Sequence, residues 1–568
     1  MKPLSPPPAG YAQPDASPAA QQDRRMLVVL TLLFLVANIY PFWMAHPNYV
    51  AEVFQIGNLM DYGFFARGGA VLGTDYAHGR LIHPEAFNYI HHPYLGHVWI
   101  FSIFYALGGA WGVLACTTAA ALFNTLFSYH VFRRWFDVFP SVIATVLYTL
   151  APCFLIYATE THNLNLGSLA WPVGTFLFMS GPDGRPPRWK ALWIFAFALL
   201  ATQLSWFTIT LFPTFFLMSA IHRTNWKETL SANVRNRVWW AIFIGGTVGV
   251  LLFLLQIVIY SPSVAEPFLY AKSLSHPGSG GEIGFAPTWF KMMKAFSIRG
   301  VVMGGPLLWV GVPLGLYLAL KRKLGPPSTA PMFLYLAIWF GLVLKLPLKF
   351  LTDPWPYLFI LFPVAFITAA AFQKIKSRAL TLLVLACTLP CLLYAQLRAS
   401  LPSSSKTTQE LAAYLSKATQ PGDLILSNLT NKAYPFPSWE WGGCGGVGII
   451  ADRLFFGAIE SGDDIKRNEQ LLAGHVQRVL FLRLVARELP AGLDNTLPAG
   501  SKLIATTTLK PVIEPKPLWV RLVSFYWKLQ SRTAEAASAD KQSDADAQFE
   551  LYQLPLPQPP PLEIKQAP

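Results

Sequence analysis

The sequence has 568 residues, of which 53% are hydrophobic and only 13% charged, and its mean hydropathy is +0.39. Soluble domains usually carry about a quarter charged residues, so this composition excludes an ordinary soluble protein. The formal net charge of +14 does not indicate nucleic acid as a partner, because the basic residues cluster in short loops between apolar runs. Cytoplasmic loops of membrane proteins have this enrichment in Lys and Arg. We therefore predict a polytopic α-helical membrane protein.

The N-terminus is predicted to be a disordered cytoplasmic tail over residues 1–25, because its first part is rich in Pro, Ala and Gln. Arg24 and Arg25 precede an apolar run from Met26 to about Ala45. This arrangement is typical of a retained signal anchor whose N-terminus stays in the cytoplasm.

Residues 26–400 are predicted to form a transmembrane domain, because they contain about eleven apolar runs of helical, membrane-spanning length. The predicted spans are 26–45, 110–132, 139–157, 164–180, 190–204, 206–221, 238–260, 300–320, 331–348, 356–373 and 379–397. Residues 46–109 form a first external loop in this interpretation, and its apolar but short stretch 93–108 is predicted to be an interfacial helix. If that stretch were a span, Arg133 and Arg134 would lie outside, against the positive-inside rule.

The composition changes after residue 400, and residues 401–555 are predicted to be a small α/β domain outside the membrane. A capped helix is followed by strand-like runs at 423–429, 477–486, 502–509 and 549–554. Residues 530–548 are predicted to be a solvated insertion, and residues 556–568 a Pro-rich tail. The glycine-rich stretch 442–448 lacks the Lys-Ser/Thr of a phosphate-binding loop, so we interpret it as a turn.

Polar chemistry is concentrated in the first external loop. Asp61 follows the first span, and His91 and His92 stand at the start of the predicted interfacial helix. A carboxylate at a membrane surface can act as a general base toward a hydroxyl group, and basic side chains can bind a phosphate that leaves. Taken alone, Asp61 is better explained as a solvated loop residue or a helix cap.

Three short motifs, in order, resemble those of the GT-C glycosyltransferases, which include the bacterial lipid A aminoarabinose transferases and the protein O-mannosyltransferases. The first is MDYGFFARGGAVLGTDY followed by NYIHHPYLGHVWIFSIFYALGG, the second is ETHNLN, and the third is LTDPWPYLFILFPVAF. The resemblance covers about residues 26–400. It implies inverting transfer of a sugar from a polyprenyl-phosphate donor on the extracytoplasmic face of the membrane.

The resemblance implies that Asp61 is the general base and that Glu160 is a second catalytic carboxylate. Many relatives have Asp-Glu where this chain has Asp61-Tyr62, so the partner of Asp61 stays open between Glu160 and the amides Asn163 and Asn165. Further candidates for binding the donor phosphate or the substrate are His91, His92, His162, Asn163, Arg299, Lys345, Lys349, Asp353 and Tyr357. Each basic candidate has a simpler alternative, which is snorkelling or solvation at the membrane edge.

The expected partners are a polyprenyl-phosphate-linked sugar donor, a glycan, lipid or protein acceptor, and membrane lipid. The expected location is the bacterial inner (cell) membrane, with the C-terminal domain periplasmic or otherwise extracytoplasmic. No metal-ligand spacing is present and no cofactor is predicted, although a divalent cation stays open. The alternative function is a transporter or flippase. Such proteins usually have charged residues within their spans and internal repeats, whereas this sequence has few charged residues within the predicted spans and no visible repeat. A non-catalytic scaffold would give no reason for the Asp and His grouping.

Overall fold

A computed structural model describes residues 18–44, 100–159, 164–179, 188–220, 237–260, 300, 302–321, 323–324, 326–345, 355–375, 377–399, 406–420, 423–429, 447, 451, 453–456, 465, 478–485, 497–510 and 546–555. The described residues are helical up to Ala399, and they combine a helix with a β-sheet after it.

The helical part begins with α1 (Pro18–Met44), α2 (Ile100–Arg133), α3 (Val138–Thr149), α4 (Pro152–Ala158), α5 (Leu164–Ser168), α6 (Ala170–Met179) and α7 (Arg188–Leu204). It continues with α8 (Phe212–Ala220), α9 (Arg237–Tyr260), α10 (Val312–Leu320), α11 (Pro326–Lys345), α12 (Leu358–Lys374) and α13 (Arg378–Ala399). Short 3₁₀ segments, Trp206–Leu211 and Trp355–Tyr357, lead into α8 and α12, and a π-helical segment, Leu307–Gly311, leads into α10. These segments coincide with the predicted apolar runs.

Within the described residues, none of the helices on its own is long and apolar enough to cross a membrane. The pair α3 and α4 meets both criteria together, but the two helices are bent by 64° relative to each other. Pro152 explains the break, because its ring removes a backbone donor and disfavours helical geometry in the residue before it. Ala151 accordingly has an extended backbone, with φ −62° and ψ 130°.

The start of α1 corrects the prediction of a disordered tail over residues 1–25, which is wrong for residues 18–25. These residues are helical, and Asp23 binds the side chain of Arg133 at 2.7 Å and that of Tyr129 at 2.8 Å. Local composition did not reveal this contact, because its partners lie more than a hundred positions away in the chain. Residues 1–17 lie outside the described part.

Helix α2 runs through the predicted boundary between the interfacial helix 93–108 and the second span without an interruption of the helical backbone. A sharp bend within the helix follows from the position of Gly112. A Cβ atom on this residue would overlap with the carbonyl oxygen of Phe104, eight positions earlier. Residues eight apart in a straight helix are separated by about 12 Å. The pair Gly108-Gly109 lies inside this bend and is the kind of sequence at which helices kink. The interfacial position stays a prediction.

The helical core is organised around α12, whose residues from Leu358 to Phe372 are all buried. A helix that is apolar on every side belongs in the centre of a bundle rather than at its surface. It packs against α3, α10 and α11. The approach to α10 is close, because a Cβ atom on Gly311 would overlap with Oγ1 of Thr368 and one on Gly315 would overlap with Ile367.

The C-terminal part combines α14 (Lys406–Ala418) with a five-stranded sheet in the order β2-β1-β3-β5-β4. Its strands are β1 (Asp423–Ser427), β2 (Leu454–Phe456), β3 (Arg478–Leu484), β4 (Lys502–Leu509) and β5 (Ala547–Gln553). Strand β1 pairs in parallel with β2 and β3, and β5 pairs antiparallel with β3 and β4. Four strands coincide with predicted runs, whereas β2 was not predicted. On which side of a membrane this part lies stays a prediction.

Candidate functional site

Most of the predicted site residues lie outside the described part of the chain, namely Asp61, His91, His92, Glu160, His162, Asn163, Arg299, Lys349 and Asp353. Lys345 is the last residue of α11, and its side chain is likewise outside the description. Only Tyr357 is described in full. The described residues next to them in the sequence form several helix ends.

Tyr357 is fully buried at the start of α12. Its ring lies 5.6 Å from the ring of Trp339, centroid to centroid, and a Cβ atom on Gly300 would lie 3.0 Å from Cε1 of the tyrosine. The indole Nε1 of Trp339 donates a 3.1 Å hydrogen bond to the carbonyl oxygen of Pro356. Tyr357 thus joins α11, α12 and the residue that follows the predicted external loop 261–299. Its role in binding substrate stays a prediction.

Three further helix ends meet at the same level of the bundle. Nε1 of Trp171 donates a 2.7 Å hydrogen bond to the carbonyl oxygen of Phe359, and the ring of Phe207 lies 4.6 Å from that of Phe359. A Cβ atom on Gly167 would lie 2.7 Å from Cβ of Ser205, so α5 and the turn between α7 and α8 are in close contact. We call this assembly of helix ends, 157–159, 164–168, 205–211, 300 and 355–359, the outer rim.

The outer rim is the point at which several segments carrying predicted site residues leave the bundle. Glu160, His162 and Asn163 lie in the four-residue connection between Thr159 and Leu164. Arg299 directly precedes Gly300, and Asp353 lies two positions before Trp355. The described residues next to them, Thr159, Leu164, Gly300 and Trp355, belong to three separate parts of the sequence and all lie in the outer rim.

A chain of buried hydrogen bonds leads from the bundle interior to this rim. The Nδ2 atom of Asn124 in α2 donates to Oγ of Ser168 at 2.8 Å, and that hydroxyl donates to the main-chain carbonyl of Asn165 at 2.9 Å. The Nδ2 atom of Asn165 donates to the carbonyl oxygen of Tyr157, which lies on the other side of the connection 160–163. These bonds hold the two ends of the connection that carries Glu160.

Asn165 also has an unused acceptor. Its side chain is fully buried, and its Oδ1 atom has no hydrogen-bond partner in the part of the chain that the structure describes. A buried amide oxygen without a partner costs about 1–3 kcal/mol, so such atoms are rare unless they serve a purpose. Asn165 was one of the amides that the sequence left open as a partner of Asp61, and it is the one that the structure describes at the rim.

Sequence reasoning missed Asn124 and Ser168. Both are polar residues in apolar helices, and polar side chains in such positions are expensive unless they bond to one another. Their presence within predicted spans was therefore a usable signal, but which of them pair depends on how the helices pack. Thr118 was missed in the same way, and its hydroxyl donates at 2.9 Å to the carbonyl oxygen of Ala158.

The described residues hold no group of three or more His, Cys, Asp and Glu side chains that could bind a metal ion. The acidic and histidine residues of the first external loop lie outside that set. The question of a divalent cation therefore rests on residues for which the structure gives no geometry.

Comparison with known proteins addresses the arrangement of the helices. No protein-family model and no curated protein sequence matches the chain. Among solved structures, ArnT from Cupriavidus metallidurans bound to undecaprenyl phosphate matches with a TM-score of 0.53 and 12% sequence identity. The match covers 84% of this chain and 96% of ArnT. The chain shares the fold of ArnT.

The fold assignment rests on ArnT. The archaeal oligosaccharyltransferase AglB from Archaeoglobus fulgidus, in complex with an inhibitory peptide and a dolichol-phosphate, matches at 12% identity over 82% of this chain and 69% of AglB. Its TM-score of 0.47 is too low to add to the argument. Because the match extends over 96% of ArnT, it concerns the overall arrangement of the helices rather than one helical hairpin.

Proposed function

We propose that the chain is an inverting membrane glycosyltransferase. It moves a sugar from a polyprenyl-phosphate donor to a lipid, glycan or protein acceptor on the extracytoplasmic face of a bacterial inner membrane. The observation that carries this proposal is the fold match to ArnT, a structure that contains bound undecaprenyl phosphate. The three sequence motifs that resemble GT-C enzymes support it independently, because they do not depend on the coordinates.

In the proposed reaction, Asp61 accepts the proton of an acceptor hydroxyl group. The acceptor oxygen then attacks the anomeric carbon of the sugar from the face opposite to the phosphate, and the bond between that carbon and the phosphate oxygen breaks. The configuration at the anomeric carbon is inverted, and polyprenyl phosphate leaves. A carboxylate suits this role because it can take the proton as the bond to the hydroxyl oxygen forms.

The remaining candidates are assigned to the leaving phosphate and to the orientation of Asp61. His91, His92, Arg299, Lys345 and Lys349 supply positive charge or hydrogen-bond donors, which stabilise the negative charge that develops on the leaving group. Glu160, with His162 and Asn163 beside it, lies between two helix ends held by the buried hydrogen bonds of Asn165. The position of these residues next to the outer rim supports a shared site, to which we also assign Asp353 and Tyr357.

The proposal is tested in cells that lack the protein. Glycolipids and envelope glycans are compared by mass spectrometry in the deletion strain and in strains complemented with the wild type or with Asp61→Asn. We expect the loss of one sugar modification, its return with the wild type, and its absence with Asp61→Asn at equal membrane abundance. If deletion changes no glycan or glycolipid, the proposed function is wrong.

A transporter or flippase is distinguished by its product. Such a protein moves its substrate unchanged across the membrane, so sealed vesicles containing the wild type would accumulate a labelled lipid-linked or small polar substrate without any new glycosidic bond. Uptake of this kind, retained in Asp61→Asn, would replace the proposed function.

A further inference from the structure

A stripe of aromatic and basic residues lies on one face of α2 and its C-terminal turn. Phe123, Phe127, His130 and Arg134 are spaced by four, three and four positions, so they follow one side of the helix. Phe123 is 51% exposed, and His130 and Arg134 are exposed as well. We call these four residues, with Phe176 of α6 and Lys190 of α7, the aromatic–basic stripe.

The members of the stripe on α2, on its C-terminal turn and on α6 contact one another. The ring centroid of Phe176 lies 5.3 Å from that of Phe127 and 5.9 Å from that of His130, and the guanidinium carbon of Arg134 lies 3.7 Å from it. This last contact is a cation–π interaction, which fixes the plane of the guanidinium group. Lys190, near the start of α7, lies close enough to Arg134 for the two positive charges to repel each other. Three basic groups are thus gathered at one end of an aromatic surface.

The neighbouring arginine has a different environment. Arg133 bonds to Asp23 of α1 through Nε at 2.7 Å. Asp23 also interacts with His130, but its oxygens are engaged by Arg133 and by Tyr129 at 2.8 Å. Asp23 therefore serves the contact between α1 and α2. The nearby Asp137 accepts a 2.7 Å hydrogen bond from Nε2 of Gln373, and neither carboxylate has a described contact with Arg134 or Lys190.

We propose that the aromatic–basic stripe binds an anionic phospholipid of the cytoplasmic leaflet. His130, Arg134 and Lys190 hold the headgroup phosphate, and Phe123, Phe127 and Phe176 contact the first part of the acyl chains. The order of the groups along α2 matches the order of groups in such a lipid, with basic residues at the predicted cytoplasmic end and phenyl rings toward the predicted membrane interior. Anionic lipids are attracted to basic residues in this position, and aromatic rings pack against their chains.

The test is native mass spectrometry of the purified full chain, titrated with dioleoyl phosphatidylglycerol or with dioleoyl phosphatidylcholine. We expect the wild type to bind the anionic lipid at least tenfold more tightly. Arg134→Gln combined with Lys190→Gln should weaken that binding by about 25-fold, at about fivefold for each charge removed, and leave phosphatidylcholine unaffected. The control is Lys321→Gln with Lys323→Gln, which removes two exposed basic residues at the end of α10.

Each remaining outcome supports or overturns the proposal. If the double variant is unstable, Lys190→Gln alone is used, with an expected loss of about fivefold. Equal binding of both lipids by the wild type, or an equal loss in the α10 control, contradicts a specific site. Competition by millimolar inorganic phosphate would show a site for soluble phosphate and would overturn the assignment to lipid. The measured lipid affinities do not depend on whether the chain transfers a sugar.

Discussion

The side-chain amide of Asn124 donates a 2.8 Å hydrogen bond to the hydroxyl group of Ser168 and thereby joins α2 to α5 inside the bundle. Through Ser168 and Asn165, this contact continues to the carbonyl oxygen of Tyr157 at the outer rim. The connection that carries Glu160 is therefore anchored by polar contacts within an apolar core, where such bonds have no water to compete with.

Asn124→Leu is expected to loosen that connection. The change leaves the hydroxyl of Ser168 without its donor and should destabilise the bundle by about 1 kcal/mol. In a Thr161→Cys background, the added cysteine should react faster with a membrane-impermeant maleimide once Asn124 is replaced. The matched control is Thr175→Val, because Oγ1 of Thr175 is buried without a hydrogen-bond partner among the described residues. Equal labelling rates with and without Asn124→Leu would show that the buried bonds do not hold the connection.

Gly249→Ala is expected to destabilise the packing of α9 on α7. A Cβ atom on Gly249 would overlap with Oγ1 of Thr202 and would lie 3.2 Å from the carbonyl oxygen of Leu199. Thr202 is buried and bonded to that carbonyl at 2.7 Å, so it has little freedom to move. Overpacking of this kind costs about 1–3 kcal/mol, measured as a lower midpoint of thermal unfolding in detergent.

The control for this change is Gly341→Ala in α11. A Cβ atom at Gly341 meets no atom within 4 Å, so alanine should be neutral or stabilise the helix by up to about 1 kcal/mol. Equal shifts of the midpoint for the two variants would contradict the described contact between α7 and α9.

The contact between Asp23 and Arg133 predicts a pH-dependent contribution to stability. Burial alone would raise the pKa of Asp23, but hydrogen bonds from Arg133 and Tyr129 and the charge of Arg133 outweigh it and hold the pKa below its ordinary value of 3.8. The ion pair therefore stabilises the folded state above about pH 4 and loses this effect as the pH falls through the lowered pKa. The Asp23 side chain is 34% exposed, so the contribution is about 1 kcal/mol or less.

Asp23→Asn should accordingly lower the unfolding midpoint at pH 7 and have a smaller effect at pH 3. The measurement is thermal unfolding of both proteins in the same detergent between these values. In an Arg133→Gln background, Asp23→Asn should no longer change how the unfolding midpoint depends on pH. A difference between wild type and Asp23→Asn that grows toward low pH would contradict the account.

Arg478→Ala is expected to destabilise the C-terminal sheet. Asp423 is fully buried, and its two carboxylate oxygens accept hydrogen bonds from Arg478 at 2.9 and 2.6 Å. The Arg478 side chain is 29% exposed, but its removal leaves two acceptor atoms of the fully buried Asp423 without this donor, at a cost of about 1–3 kcal/mol. Hydrogen exchange of the amides in β1 and β3 would report the loss. Arg483→Ala serves as the control, because its 3.8 Å contact with Glu550 is partly exposed and should contribute about 1 kcal/mol or less.

Long apolar runs were enough to place the helices of this chain, but not their contacts. The predicted apolar runs overlap with the described helices, but α1 and α2 begin earlier than the first and second predicted spans. They could not reveal the helical start at Pro18, which is stabilised by the distant Arg133. The strand β2 was missed because three residues, Leu454–Phe456, are too few to form a pattern.

The candidate site was predicted in a different way, and its residues stay a prediction. Motif resemblance named Asp61, Glu160 and their neighbours, and the structure places the helix ends next to Glu160, Arg299 and Asp353 on one side of the bundle. The hydrogen bond between Asn124 and Ser168 could not be predicted from the sequence, since the presence of a polar residue in a span does not indicate which residue it bonds to. Their pairing follows only from how α2 and α5 pack.

The most direct measurement is turnover of a labelled undecaprenyl-phosphate sugar by the purified chain in proteoliposomes with an envelope extract as acceptor. We expect the wild type to release undecaprenyl phosphate and to form a glycosylated product. Asp61→Asn should reduce this rate by at least a hundredfold, in the range seen when a general base is removed, and Asp75→Asn, a change in the same loop, should not. Undiminished product formation by Asp61→Asn would contradict the account.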